Sequence, residues 1–144
     1  MTAVVALDFS AVSGRQLEVV ARVTREDHHI YLLHVAEPDP DFVGFDVGPD
    51  VVRDQMAQQF HREHEQIQAM AQRLRDDGRD VTALLVQGPT VDTILGQAEK
   101  LEADLIVVGS HGHGAVFDML VGSISAEVIR RSKIPVLVVP SRRS

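Results

Sequence analysis

Short apolar runs alternate with amphipathic stretches along most of the chain. The apolar runs are rich in β-branched residues and predict five strands buried on both faces, at residues 3–7, 29–35, 81–86, 104–108 and 135–139. Between them, apolar residues recur at helical spacing, as at Leu17, Val20 and Ala21, and predict four helices. Strands that alternate with helices favour right-handed crossovers, and therefore a parallel sheet with helices on both faces.

Polar and turn-forming residues set the boundaries of these elements. Ser10 or Ser13 is placed to cap the first helix through its hydroxyl group. The second helix is predicted over residues 51–77, and Gly78 ends it, since glycine is favoured just past a helix. Before that helix, residues 37–50 contain three prolines and two glycines, so we expect a long loop there.

The apolar side chains of this loop, Phe42, Val43 and Phe45, allow two interpretations. The loop follows the second strand and so leaves the carboxyl edge of the sheet, where these side chains would fold over a bound ligand as a lid. Alternatively, they pack against the long second helix. Both interpretations stay open at this point.

Composition narrows the classes of function. A chain of 144 residues suits one compact domain over residues 1–144. Its 14 Lys and Arg against 21 Asp and Glu give a net charge of −7, which argues against non-specific nucleic-acid binding. The absence of cysteine excludes disulfides, thiolate catalysis and cysteine-bound zinc. We see no signal peptide and no apolar stretch of the roughly 18 residues that a bilayer requires, so we expect a cytoplasmic protein without a membrane span.

The stretch from Gly109 to Ser125, GSHGHGAVFDMLVGSIS, carries the strongest chemical signal. It follows a predicted strand and leads into a helical pattern. Glycines permit close approach of the backbone, and a helix start presents unpaired N–H groups with a partial positive charge. This order of elements predicts an anion site, most often for phosphate. The spacing, Gly109-x2-Gly112-x9-Gly122 followed by Ser123, differs from the G-x-G-x-x-G and P-loop motifs.

This spacing resembles the G-x2-G-x9-G-[ST] signature of the nucleotide-binding branch of the universal stress protein family. The resemblance extends to Asp8-Phe9-Ser10 after the first strand, His34-Val35 at the end of the second, Gly88-Pro89 and the closing PVLVV, and so covers nearly the whole chain. It implies an adenine nucleotide α-hydrolase-like fold: one three-layer α/β domain with a five-stranded parallel sheet of order 3-2-1-4-5 and four helices. In that order the topological switch point falls between strands one and four, where open α/β sheets bind ligands.

The resemblance also implies which residues bind the ligand. They lie at the ends of strands one, two and four, in the glycine-rich loop and at the start of the last helix: Asp8, Val35, Gly109, Gly112, His113, Gly122, Ser123 and Ser125. The first two would hold the adenine, the next two the ribose and phosphates, and the last three the phosphates. His113 stands where relatives often have Arg or Lys, and a neutral histidine attracts phosphate less than a protonated one.

For function, the resemblance implies ATP, together with Mg²⁺ or Mn²⁺, bound by a nucleotide-dependent sensor or regulator of the stress response. The chain has no Lys or Arg between Gly109 and Glu127, so any hydrolysis should be slow and the protein should not act as an enzyme. The alternatives are a cyclic AMP or AMP binder on the same fold and a dimeric adaptor that works without nucleotide. An ATP-dependent transferase is disfavoured, because such enzymes carry their phosphate loop after strand one, where this chain reads DFSAVSGR.

The last strand carries a prediction about assembly. In the order 3-2-1-4-5 this strand lies at an edge of the sheet, and an exposed apolar edge invites pairing. Relatives commonly dimerise through it, so we expect an isologous homodimer joined through Val136–Val139. A regulator of this kind also implies a protein partner, which the sequence does not identify.

Three other polar features have simpler explanations. Asp8 is also placed to cap the first helix through local hydrogen bonds, a role compatible with ligand binding. His61, His64 and Glu65 share a helical face, but their spacing differs from the H-E-x-x-H zinc motif and indicates a solvated surface. His34 ends an apolar strand, where a hydrogen-bonded buried histidine is more common than a catalytic base.

Overall fold

The computed structural model describes residues 1–36, 49–110 and 122–140, with the side chains of the second helix described from residue 54 onward. Its strands are β1 (Thr2–Ala6), β2 (His29–Ala36), β3 (Asp80–Gln87), β4 (Leu105–Gly109) and β5 (Val136–Val139). Its helices are α1 (Ser13–Val23), α2 (Pro49–Asp76), α3 (Thr90–Lys100) and α4 (Ser123–Arg131). The alternation of strands and helices is the one that the sequence predicts.

The five strands form one parallel sheet in the order β3-β2-β1-β4-β5, which confirms the predicted strand order. The central strand, β1, pairs with β2 on one side and with β4 on the other. Chain connections from these strands therefore diverge between β1 and β4, and a crevice opens at their carboxyl ends. β3 and β5 are the edge strands.

Helices cover both faces of the sheet. On one face α1 and α2 bury Leu17 and Ile67, and on the other α3 and α4 bury Ile94 and Val128. Successive strand residues point to opposite faces, and for this reason the strands appear in the sequence as continuous apolar runs. Burial of each large apolar side chain contributes about 1.5–3 kcal/mol, so these two layers hold the strand ends in place at the crevice.

Two expectations about helix starts are wrong. Pro49 and Asp50, expected in the loop, belong to α2, because proline fits the first turn of a helix. α1 has no side-chain cap, and the hydroxyl groups of Ser10 and Ser13 are buried without a hydrogen-bond partner in the described structure. The chain instead enters α1 through a backbone turn, in which the Ser13 N–H donates to the Ser10 carbonyl at 3.1 Å.

The end of α2 agrees with the sequence. Gly78 follows this helix with φ of 84°, in the left-handed region that glycine adopts without strain. The proposed lid residues Phe42, Val43 and Phe45 lie outside the described residues, so the two interpretations of that loop remain predictions. Within the described parts of the chain, no helix is both long and apolar enough to cross a bilayer.

Candidate functional site

A crevice of about 460 Å³ opens at the carboxyl ends of β1, β2 and β4. The first turns of α3 and α4 close its other side. Every sequence-predicted site residue that the structure describes lines it: Asp8, Val35, Gly109, Gly122, Ser123 and Ser125. Gly112 and His113 lie outside the described residues. The crevice thus brings together residues from six separate elements and the turn after β1.

The start of α4 forms one end of the crevice. The first hydrogen bond within the helix runs from the Ala126 N–H to the Gly122 carbonyl, at 2.9 Å. The N–H groups of Ser123, Ile124 and Ser125 therefore have no partner within the helix. The first turn of α4 contains no acidic residue, so its partial positive charge is not compensated from within the helix. This end of the crevice is suited to an anion.

The two serines of this turn have different roles. Ser125 is buried, and its hydroxyl donates to the carbonyl of Gly109, which joins the first turn of α4 to the end of β4. Ser123 is exposed and lines the crevice. Of the two hydroxyl groups, that of Ser123 is the one available to a ligand.

Gly109 allows α1 to pack directly on the end of β4. A Cβ built at this position would lie 2.5 Å from Cγ1 of Val12 and 3.3 Å from Oε1 of Gln16. Carbon atoms do not approach to 2.5 Å, so any side chain here would force Val12, the residue before α1, to move. The glycine is therefore explained by packing beneath the crevice, in addition to any contact with a ligand.

Asp8 forms a local turn and also lines the crevice. Its Oδ1 accepts a hydrogen bond from the Ser10 N–H at 2.9 Å. The neighbouring Phe9 has φ of 60°, so the chain turns sharply after β1. The local hydrogen bond predicted for Asp8 is confirmed, although it stabilises the turn and does not cap α1. The side chain keeps its place in the lining.

His34 is a largely buried, hydrogen-bonded histidine, as its place in an apolar strand suggested. Its Nδ1 lies 2.7 Å from the Leu7 carbonyl and, since a carbonyl only accepts, Nδ1 must carry the hydrogen. Its Nε2 lies 3.0 Å from Oε2 of Glu63, and both side chains are largely buried. The Phe9 ring lies 4.3 Å from the imidazole. The histidine thus links β1, β2 and α2 beside the crevice.

Some lining residues were missed from the sequence. Thr90 and Ile94 of α3 and Ile124 of α4 form a wall of the crevice, and Gln16 of α1 reaches its floor. Ile94 fits the helical spacing of the apolar residues of α3, which by itself predicts core packing only. Gln16 is polar and stands beside the apolar stripe of α1, which ordinarily indicates a solvated side chain. Only the spatial neighbours of these residues reveal their place in the site.

The charged face of α2 lies apart from the crevice lining. His61 and Glu65 form an exposed ion pair one helical turn apart, with 3.1 Å between Nε2 and Oε1. Among the described residues, no group of three His, Cys, Asp or Glu side chains is arranged to hold a metal ion. A metal in the crevice would therefore take most of its ligands from outside this set.

Comparison with known proteins identifies the family. The model of the Universal stress protein family matches residues 1–140. The protein named "Universal stress protein in QAH/OAS sulfhydrylase 3'region" from Thermus aquaticus is 33% identical over 128 residues, which are 88% of this chain and 89% of the relative.

Solved structures share the fold. MJ0577, a universal stress protein of Methanocaldococcus jannaschii, aligns with a TM-score of 0.84 at 26% identity, over 99% of this chain and 97% of that one. A universal stress protein solved in complex with cAMP aligns with a TM-score of 0.70 at 24% identity, over 99% and 98% of the two chains. Since the family match covers all but the last four residues, this chain belongs to the universal stress protein family.

Proposed function

We propose that this protein binds an adenine nucleotide, ATP with Mg²⁺ or Mn²⁺, in the crevice between β1 and β4. It would act as a nucleotide-dependent sensor or regulator in the stress response, as a member of the nucleotide-binding branch of its family. The observation that carries the proposal is the start of α4, where the N–H groups of Ser123, Ile124 and Ser125 have no helical partner and no acidic side chain in the same turn. Phosphate groups are the ligands that such a helix start binds best.

The opposite end of the crevice suits a flat base. Its walls include the apolar side chains of Leu33, Val35 and Ile94. Just past the end of β1, the Leu7 N–H donates to the Leu33 carbonyl of β2, at 2.8 Å. Because strand backbone groups alternate in direction, those of Val35 point to the same side, beyond the end of β1. This direction supports our proposal that they bind the edge of an adenine ring.

Hydrolysis should be slow. Lining residues from the described part of the chain include no Lys or Arg, and rapid phosphoryl transfer requires such charges or their equivalent at the γ-phosphate. The metal ion would bind chiefly to phosphate oxygens, because no group of three His, Cys, Asp or Glu side chains among the described residues is arranged to hold it. We therefore propose a binding protein rather than an enzyme.

Two alternatives remain as proposals. A cyclic AMP or AMP ligand would use the same base and phosphate ends, and a structural relative was solved with cAMP.

A dimeric adaptor independent of nucleotide is favoured by the edge position of β5. The carbonyls of Pro135 and Val139 accept hydrogen bonds from Ile106 of β4 and from Ser110 just after it. By alternation, the backbone groups of Val136 and Val138 face outward. These groups would join two copies through Val136–Val139, and light scattering measures that assembly.

Titration calorimetry with ATP tests the proposal. Gly122→Val places a branched side chain against the N–H groups of α4, so we expect ATP binding to be lost while the fold is retained. Gly96→Val is the matched control, because Gly96 of α3 has open space where a side chain would grow. Unchanged ATP affinity in Gly122→Val would show that the phosphates do not bind at this helix start. A wild-type protein that binds no adenine nucleotide would favour the adaptor.

A further inference from the structure

A buried amide forms part of the floor of the crevice. Gln16 of α1 is only 1% exposed, yet its side chain lines the crevice. A primary amide is rarely buried without hydrogen bonds for both of its polar atoms. One of these bonds is present, since Nε2 donates to the Ala6 carbonyl at 2.8 Å.

That hydrogen bond determines the orientation of the amide. The Ala6 carbonyl can only accept, so the atom that faces it is the nitrogen and the oxygen points away. Oε1 lies 3.3 Å from the position of a Cβ built on Gly109, between the ends of β1 and β4. Oε1 accepts no hydrogen bond from any residue that the structure describes. An acceptor with unused lone pairs therefore stands at the floor of the crevice.

We infer that Gln16 determines specificity in this crevice, and that its Oε1 accepts a hydrogen bond from a sugar hydroxyl of the bound nucleotide. This inference rests on the proposed function and assigns a further contact in the same site. An acceptor oxygen repels phosphate oxygens, so the phosphates belong at the N–H groups of Ser123, Ile124 and Ser125. The base belongs at the opposite end, beside Val35. The floor at Gly109 lies between these ends, where a nucleotide presents its sugar hydroxyls.

The consequence is selection against deoxyribonucleotides. A ligand that lacks the hydroxyl would leave Oε1 buried and unpaired, and sites built to bind a hydroxyl reject analogues that lack it. The loss of one neutral hydrogen bond corresponds to a decrease in affinity of about 3- to 10-fold. Oε1 is one atom at one place in the crevice, so the preference should be strongest for the one hydroxyl that reaches it.

Calorimetric titrations with ATP, 2′-deoxyATP and 3′-deoxyATP test the inference. We expect wild type to bind one deoxy analogue about 3- to 10-fold more weakly than ATP. In Gln16→Met, which keeps the side-chain length but has no oxygen, this preference should disappear, while affinity for that analogue changes little. Gln72→Met is the matched control, since Gln72 lies on the exposed face of α2 and bonds only to Asp76 among the described residues.

The outcomes separate this inference from the proposed function. A preference that persists in Gln16→Met, or an equal loss of affinity for all three nucleotides, would overturn the role of Oε1 while nucleotide binding stands. A wild-type protein that binds none of the three would overturn the proposed function itself, and this inference with it. If Gln16→Met does not fold, the wild-type titrations still test the inference. Equal affinities for the three nucleotides would contradict a hydroxyl contact.

Discussion

Two hollows beside α3 and α4 differ in which ends of these helices line them. The crevice at the carboxyl edge is lined by the first turns of α3 and α4, which include Thr90 and Ser123. A second hollow, of about 350 Å³, lies at the other ends of the helices and receives their last turns, with Glu99 and Arg131. Their volumes are similar, but the helix dipoles present positive ends to the crevice and negative ends to the second hollow.

The second hollow has positive side chains near the negative helix ends. Arg131, the last residue of α4, and Lys133 line it beside Glu99 and Glu102, and Arg131 also pairs with Asp92 at 2.7 Å. The start of α4 has no acidic residue in its first turn, whereas the start of α3 has Asp92. The first turn of α4 is therefore a positive helix end without an acidic side chain of its own, which agrees with the phosphate site that we propose there.

The largest effect on stability should come from Gly109→Ala, which changes the packing at the crevice and leaves the second hollow as it is. The new Cβ would lie 2.5 Å from Cγ1 of Val12, so Val12 at the entry to α1 would have to shift. We expect the free energy of unfolding to fall by about 1–3 kcal/mol, as overpacked sites do. Gly96→Ala on α3, where the space is open, should raise it by about 0.4–1 kcal/mol. Urea denaturation measures both, and equal stability of the two variants would contradict the packing argument.

A smaller effect should follow from Ser123→Asp, which supplies the missing charge at the start of α4. A carboxylate there interacts favourably with the helix dipole, so stability should rise by about 0.3–1 kcal/mol. The same carboxylate would repel phosphate, so ATP affinity should fall by about tenfold. Ser123→Asn, which has the same shape without the charge, is the control. If both variants bind ATP as wild type does, the helix start does not receive the phosphates.

The smallest effect should come from Arg131→Gln, which removes a compensating charge from the second hollow. Its contact with Asp92 is solvent-exposed, so its loss should cost about 0.2–1 kcal/mol, and less at high salt. ATP affinity should not change, because the substitution lies at the opposite end of α4. Denaturation at two salt concentrations, together with calorimetry, checks both statements. A clear loss of ATP affinity would show that the two hollows are coupled.

The sequence predicts the sheet because parallel strands are buried on both faces. A run such as Val136–Val139 is therefore apolar throughout, and the strand bounds agree to within one residue. The start of α4 at Ser123 was also predicted, since Gly122 and the serine mark it locally. These signals are contained in a few neighbouring residues.

Other features depend on partners far apart in the chain. Gln16 is buried because the Ala6 carbonyl binds its amide and because Gly109 leaves room for α1. The pairing of His34 with Glu63 depends on the position of α2 over the sheet. The predicted serine caps of α1 failed for a similar reason, since a backbone turn at Ser13 replaced them. No local pattern in the sequence contains this information.

The crevice exists only in the folded chain, because its lining comes from β1, β2, β4, α1, α3 and α4 together. A ligand that occupies it would bind the native state and not the unfolded chain. At a free concentration of 100 times its dissociation constant, such a ligand adds about 2.7 kcal/mol to the free energy of unfolding. The melting temperature and the lifetime against proteolysis would then rise with ligand concentration. Through this linkage the abundance of the protein itself would follow the supply of its ligand.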